Sequence, residues 1–187
     1  SVSVISTETD AYAIAVNEQL IGEPRLTDIG FAYCGNITPF ETPYQDMMCE
    51  MAEQLVFEFG LVGSNGVDFI ITENGPVVLE VNPRFQGSLD TVELATGMNL
   101  FDAHVKTFSG LLPENKPPVN QFAGKAIVYS QSNLLINERI FNGLVGQNTV
   151  DIPNIGHNIG TDEPLTSVVH TGYSRDDITE KLKKSVD

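Results

Sequence analysis

Along the stretch VVLEVNPRFQGS, residues 77–88, four polar side chains alternate: Glu80, Asn82, Arg84 and Gln86. Residues two apart on a strand point to one face, so an acid, an amide, a base and a second amide share a single row. Asp68, in the preceding run VDFIIT, joins that face if the two runs pair with Asp68 opposite Glu80. This register needs an odd loop, and the three residues Glu73-Asn74-Gly75, with Gly75 in the left-handed conformation, supply one. Two carboxylates facing each other repel unless a cation lies between them. Asp68, Glu80 and Asn82 offer oxygen ligands, which suit Mg2+ or Mn2+ and not zinc. Mg2+ takes a few protein oxygens and fills its other positions with water and substrate phosphates. Arg84 carries a planar fork that matches a phosphate or a carboxylate. Any one of these side chains is also accounted for as a solvent-facing hairpin residue with a salt bridge. The combination, with Pro83 ending the strand, favours a metal site.

A hairpin from Val67 to Val81 must hold these groups, with Val77, Leu79 and Val81 turned to a core. Upstream, SVSVI and the run 11–20 read as strands, and GFAYCGNITP, residues 30–39, reads as an ordered loop rich in Gly, Asn and Pro. Thr42 as N-cap, Pro43 at the first helical position and Gln45 at the third predict a capped helix. Met48, Met51, Ala52, Leu55 and Phe59 fall at helical spacing and Gly60 supplies the stop. Asp90 with Glu93, and Asn99 with Asp102, predict two short helices broken at Gly97, the second ending at Gly110. LPENKPPV is the best linker. Beyond it, AGKAIVYS is a strand in which Lys125 reads as a snorkelling side chain, residues 143–163 are loop-rich, residues 165–170 form a strand, and Ser174 caps an amphipathic helix carrying Ile178 and Leu182. The fold class is therefore α+β, in two segments, 1–111 and 120–187. A chain that opens inside a strand reads as a piece of a longer polypeptide.

Composition excludes several classes. With 187 residues the chain can bury a sizeable core, and a net charge of -15 argues against nucleic acid, which is bound mainly through clustered Lys and Arg. Before Lys106 the only basic residues are Arg25 and Arg84, so an anionic ligand here needs metal ions or another part of the protein to offset its charge. No apolar run is long enough to span a membrane and no leader segment opens the chain. Two cysteines make no disulfide framework, so the cytoplasm is the expected compartment and the Asn36-Ile37-Thr38 match to a glycosylation acceptor is taken as chance. His104, His157 and His170 lack metal-ligand spacing and are expected to be structural, and Cys34 has no partner base.

The run GLVGSNGVDFIITENGPVVLEVNPRFQGS resembles the second half of the ATP-grasp domain, which pairs an acid on one strand with a Glu-x-Asn-Pro-Arg strand. That pattern is shared by biotin carboxylases, carbamoyl-phosphate synthetases and carboxylate–amine ligases. SVSVIS and NEQLIG resemble the strands after the family's adenine-binding hinge, and AGKAIVYS with DIPNIG and the final helix resemble the small C-terminal region of biotin-carboxylase-like members. The nearest resemblance is to archaeal predicted ATP-dependent carboligases related to biotin carboxylase. It implies an ATP-grasp C-terminal subdomain, an antiparallel sheet with helices packed on it, over 1–111, and a small α/β C-terminal extension over 120–187.

The resemblance further implies ATP and Mg2+ (or Mn2+) as cofactors. Asp68, Glu80 and Asn82 take the metal-ligand positions, Glu80, Asn82 and Gln86 meet the metal-bound nucleotide, and Arg84 is the catalytic residue that contacts the acyl phosphate or the substrate. The lysines and hinge that hold ATP would precede Ser1, so the full-length parent is expected to be an ATP-dependent carboxylate–amine ligase and this piece alone to be inactive. Expected partners are small-molecule carboxylate and amine substrates, the N-terminal half of the same protein and a second copy, with no nucleic acid and no membrane. One alternative is a bicarbonate-using carboxylase or carbamoyl-phosphate-type enzyme. It is weakened because biotin carboxylase places a Glu base four residues after the arginine, where this chain has Ser88. A non-catalytic ATP-grasp-like binding module is the other.

Overall fold

A computed structural model describes residues 1–146 and 148–186 of the chain. In chain order the elements are β1 (Val2–Ser6), β2 (Ala11–Val16), β3 (Glu18–Ile21), β4 (Tyr33–Thr38), α1 (Gln45–Glu58), β5 (Gly63–Thr72), β6 (Gly75–Asn82), α2 (Leu89–Thr96) and α3 (Leu100–Thr107). There follow β7 (Phe122–Tyr129), β8 (Leu134–Leu135), α4 (Glu138–Leu144), β9 (Thr149–Val150), β10 (Asn158–Ile159), β11 (Pro164–Gly172) and α5 (Arg175–Val186). This is an α+β fold. The elements gather into two compact units, one made of Ser1–Glu18 and Thr38–Gln121, the other of Gln19–Ile37 and the residues from Phe122 onward. The chain leaves the first unit after Glu18, returns at Thr38 and leaves again near the predicted linker.

The first unit is an antiparallel sheet in the order β2-β1-β5-β6. Alternation along β1 sends Val2 and Val4 to one face and Ser3 and Ile5 to the other. Helix α1 covers the first face with Met48, Cys49, Ala52 and Val56, packed on Val2, Val4 and Val67. Helices α2 and α3 cover the second through Val92, Leu100 and Ala103, packed on Ile5, Ile14 and Ala15. Each large apolar side chain buried this way stabilises the unit by about 1.5–3 kcal/mol. The apolar stripe of α1 is turned from the one the sequence predicts: Phe59 is exposed and Cys49 is inside. The predicted capping box does not form. Thr42 instead opens a turn, its hydroxyl accepting from the Tyr44 amide, and the helix starts later at Gln45 with no side-chain cap. Gly60 does end the helix, in the left-handed conformation (φ 61). Ser88, not Asp90, is the N-cap of α2, whereas Asn99 caps α3 as predicted by accepting from the Asp102 amide at 2.7 Å.

The run 11–20, expected as one strand, is two, β2 and β3, in different sheets. Asn17 is the junction and is 1% exposed. Its amide accepts from Thr38 Oγ1 at 2.7 Å and donates to Ser3 Oγ at 3.0 Å and Ser88 Oγ at 3.4 Å. Thr38 Oγ1 also pairs with Thr91 Oγ1 at 2.9 Å. Five buried polar residues from β1, the β2–β3 junction, β4 and the start of α2 thus satisfy one another.

The second unit carries a five-stranded sheet in the order β3-β4-β7-β11-β9, with α5 packed on it through Ile178 and Leu182, and a small β8–β10 ribbon. The stretch expected as a loop, 30–39, contributes β4, in which Cys34 and Ile37 are fully buried. Its glycine content reflects packing: a Cβ at Gly35 would clash with the Lys125 carbonyl of the neighbouring strand. Lys125 does not snorkel into solvent. It pairs with Asp151 at 2.8 Å and is 12% exposed. Ser174 caps α5 as predicted, accepting from the Asp177 amide at 3.2 Å.

Two outcomes are expected. Asn17→Ala leaves buried hydroxyls without their partner and destabilises the first unit by about 1–3 kcal/mol, read by amide exchange of β1 and α2. Gly124→Ala places a methyl against Ile178 and Leu182, costing about 1–3 kcal/mol and loosening α5, read by thermal unfolding.

Candidate functional site

The hairpin β5–β6 brings Asp68 opposite Glu80 and Gly66 opposite Asn82, in the register the sequence predicts. The device that sets this register differs from the predicted three-residue loop. Thr72 pairs with Gly75 across a two-residue turn, which alone would put Phe69, not Asp68, in register with the face of Glu80. The parity is changed further along: Phe69 pairs with Val78, and Asp68 with Glu80, so Leu79 is an extra residue on β6. This β-bulge turns the strand over between Val78 and Glu80. The core assignment of Val77 and Leu79 is accordingly overturned. Both are exposed, and it is Val78 and Val81 that pack against α1 with Phe69.

Val67 and Phe69 face α1, so Asp68 between them faces the opposite side of the sheet, at its β6 edge. There Asn82 Nδ2 donates to Glu80 Oε1 at 2.9 Å and to Asp68 Oδ2 at 3.2 Å. Arg84 Nη2 donates to Asn82 Oδ1 at 3.4 Å, and Arg84 Nη1 to the Phe85 carbonyl at 3.1 Å. The Asn82 amide, first, and a hydrogen bond with Asp68, second, hold the Glu80 carboxyl below its ordinary value, with the Arg84 charge adding to the effect. Ionised carboxylates only accept, so a direct bond between Asp68 and Glu80 forms only while one of them keeps its proton. Among the described residues no three His, Cys, Asp or Glu side chains gather at metal-binding spacing. A cation at this place would therefore take two carboxylates and an amide oxygen and draw its other ligands from outside the hairpin, a donor set that fits Mg2+.

Contacts of three residues, Phe85, His104 and Gln86, which the alternation alone does not reveal, position the row. Phe85 lies 4.7 Å from the His104 ring and 6.0 Å from Phe101, centroid to centroid, and so pins the segment after Asn82 onto α3. His104 accepts from the Ser64 amide through Nδ1 at 2.9 Å and is in edge contact with Phe108, which gives it the structural role expected of it. Gln86 lies over Gly66, where a Cβ would collide with it, and its amide donates to the Arg84 carbonyl. An aromatic at position 85, out of phase with the polar row, was the available signal. Ser88 is 4% exposed and its hydroxyl is within hydrogen-bond distance of Ser3 and Asn17. Asp68, Glu80, Asn82, Arg84 and Gln86 are thus all brought to one hairpin and the turn after it. His157 and His170 lie outside this unit, and Cys34 is buried in the other. The second unit has a polar cleft of about 310 Å³ lined in part by Arg25, Asp28, Tyr129 and Asp162, none of them among the expected site residues.

Residues 1–88 match the family described as ATP-grasp domain. The uncharacterized protein MJ0776 of Methanocaldococcus jannaschii is 29% identical over 157 residues, covering 83% of this chain, and the chain spans 36% of that relative's length. Among solved structures, N5-carboxyaminoimidazole synthase from Aspergillus clavatus, in complex with ADP and its ribonucleotide, superposes with a TM-score of 0.75 at 14% identity, over 99% of this chain and 50% of that one. Biotin carboxylase from Campylobacter jejuni, in a complex with β,γ-ATP, does so with a TM-score of 0.72 at 12% identity, over 96% and 43%. These two likenesses concern the fold. Residues 1–88 are thus similar in sequence to the ATP-grasp domain, and the chain shares the fold of these two enzymes.

Proposed function

We propose that this chain supplies half of the catalytic centre of an ATP- and Mg2+-dependent ligase that joins a carboxylate to an amine, or a related nucleophile, through an acyl phosphate. The observation that carries the proposal is the cross-strand pair Asp68–Glu80, bridged by Asn82 and followed by Arg84 on an exposed sheet face. In this reading 1–111 acts as the C-terminal subdomain of the ATP-grasp domain and 120–187 as a biotin-carboxylase-like region. The remaining ATP-holding groups come from an N-terminal half of the same cytoplasmic protein, which works as a homodimer.

Asp68, Glu80 and Asn82 would hold Mg2+ or Mn2+, and the ion would supply charge neutralisation of the nucleotide phosphates. Arg84 then has the fork and the exposure to hold the carboxylate or its phosphorylated form in line for attack. Gln86 adds an amide beside it. Such chemistry depends on positioning and charge more than on proton transfer, which agrees with a site built from acids, amides and one arginine. The buried Ser88 hydroxyl disfavours the bicarbonate-using alternative, because no base replaces it at that position.

In the full-length protein, addition of the correct acid and amine to ATP and Mg2+ should stimulate ADP release, and Glu80→Gln should lower that rate on the order of a hundredfold. If no pool of acids and amines stimulates ADP release and Glu80→Gln leaves nucleotide binding unchanged, the ligase assignment is wrong and a non-catalytic module is favoured. The chain by itself should bind ATP too weakly for calorimetry to detect, and a micromolar dissociation constant would contradict that division of the site.

A further inference from the structure

Asn82 holds its side chain in the one orientation that serves the carboxylates and Arg84 at once. Its amino group faces both carboxylates, at 2.9 Å from Glu80 and 3.2 Å from Asp68, and its oxygen faces Arg84 at 3.4 Å. The orientation follows from the partners: carboxylates accept, a guanidinium donates, and only the Asn82 amino group can serve the first and only its oxygen the second. A divalent cation between Asp68 and Glu80 reverses that requirement. It needs oxygen from Asn82 and repels the amino group from the place it holds.

We propose that Asn82 is a two-position switch: its amide reverses when a divalent cation enters between Asp68 and Glu80, and the reversal releases Arg84. Pairing of Asn82 with Gly66 fixes the backbone on β6, so only the terminal side-chain bond turns, by about half a revolution. That rotation exchanges nitrogen for oxygen at the carboxylates and oxygen for nitrogen at Arg84. Two donors then face each other on the arginine side and the Asn82–Arg84 bond is lost. Neutralisation of the acids removes a second attraction on the guanidinium. Its remaining contact, to the Phe85 carbonyl at 3.1 Å, is local and exposed, so Arg84 becomes available to an anionic substrate group only after the cation has arrived. An aspartate at position 82 would bind the cation but keep Arg84 as an ion pair, and a non-polar residue would do neither. Asparagine has the donor and the acceptor that a switch needs.

This inference rests on the ligase reading for the purpose of the switch, and the test separates the two. The full-length protein is uniformly labelled with 15N, so that backbone amides and the asparagine and arginine side chains are all observed, and Asn82→Asp assigns the Asn82 amino resonances by their disappearance. Mn2+ locates the cation by broadening the Asp68 and Glu80 amides, and Mg2+ is titrated for the readout, with and without a non-hydrolysable ATP analogue. Expected with Mg2+ are a shift and loss of exchange protection of the Asn82 amino pair, together with a shift of the Arg84 guanidinium signals that Asn82→Asp abolishes. A cation that reaches the pair while the Asn82 amino signals keep their shift and protection overturns the switch. If Mg2+ reverses the amide but the nucleotide analogue never binds, the switch stands and the ligase reading fails. If neither cation nor nucleotide reaches the hairpin, both are overturned.

Discussion

The hairpin site depends on one electrostatic conflict, two carboxylates held across adjacent strands. Asp68 and Glu80 are placed by backbone pairing, not by preference for each other, and without a positive group between them the arrangement is unfavourable. The Asn82 amino group relieves part of the conflict by donating to both. The surroundings serve to hold this arrangement in place. Val67, Phe69, Val78 and Val81 anchor the two strands on α1, and Phe85 ties the segment beyond them to α3. A rigid scaffold under an exposed polar row agrees with the proposed role of meeting a highly charged ligand.

Much of this was legible in the sequence, for reasons that can be traced to single residues. The alternation of Glu80, Asn82, Arg84 and Gln86 identified the row, and the requirement that Asp68 share its face identified the register. The turn was misread because parity can be changed by a loop or by a bulge, and an apolar Leu79 carries no mark of being the extra residue. The same bulge reverses the expected faces of Val77 and Leu79. Strand β4 was hidden by Gly35 and Asn36, whose loop-like character comes from close backbone packing and internal hydrogen bonding. The Asn17 network was invisible because Ser, Thr and Asn read as surface residues until their partners, distant in sequence, are known. In each case a tertiary contact overrode a local signal.

The buried polar network and the acidic pair meet at the segment 83–88. At one end this segment continues the strand that carries Glu80 and Asn82, and at the other Ser88 opens α2 with its hydroxyl among Ser3 and Asn17. Arg84 and Gln86 sit between two fixed points, one a strand pairing and one a buried hydrogen-bond cluster. Arg84 is exposed in this interval while the backbone on either side is held by pairing and hydrogen bonds.

The interleaving of the two units has a consequence for how the polypeptide assembles. Every element of the first unit is present once residue 121 has been made, so the hairpin and its helices can pair at once. Strands β3 and β4 are made early but find their neighbour β7 only after Phe122 has emerged, and until then the side chains of Cys34 and Ile37 lack their cover. Closing so long an interval is slow relative to hairpin formation. A ribosome-bound intermediate would thus expose the apolar side chains of the segment 19–37 after the elements of the first unit have been made. In such a chain the vulnerable moment of synthesis lies in the segment 19–37 and not in the hairpin that carries Asp68 and Glu80.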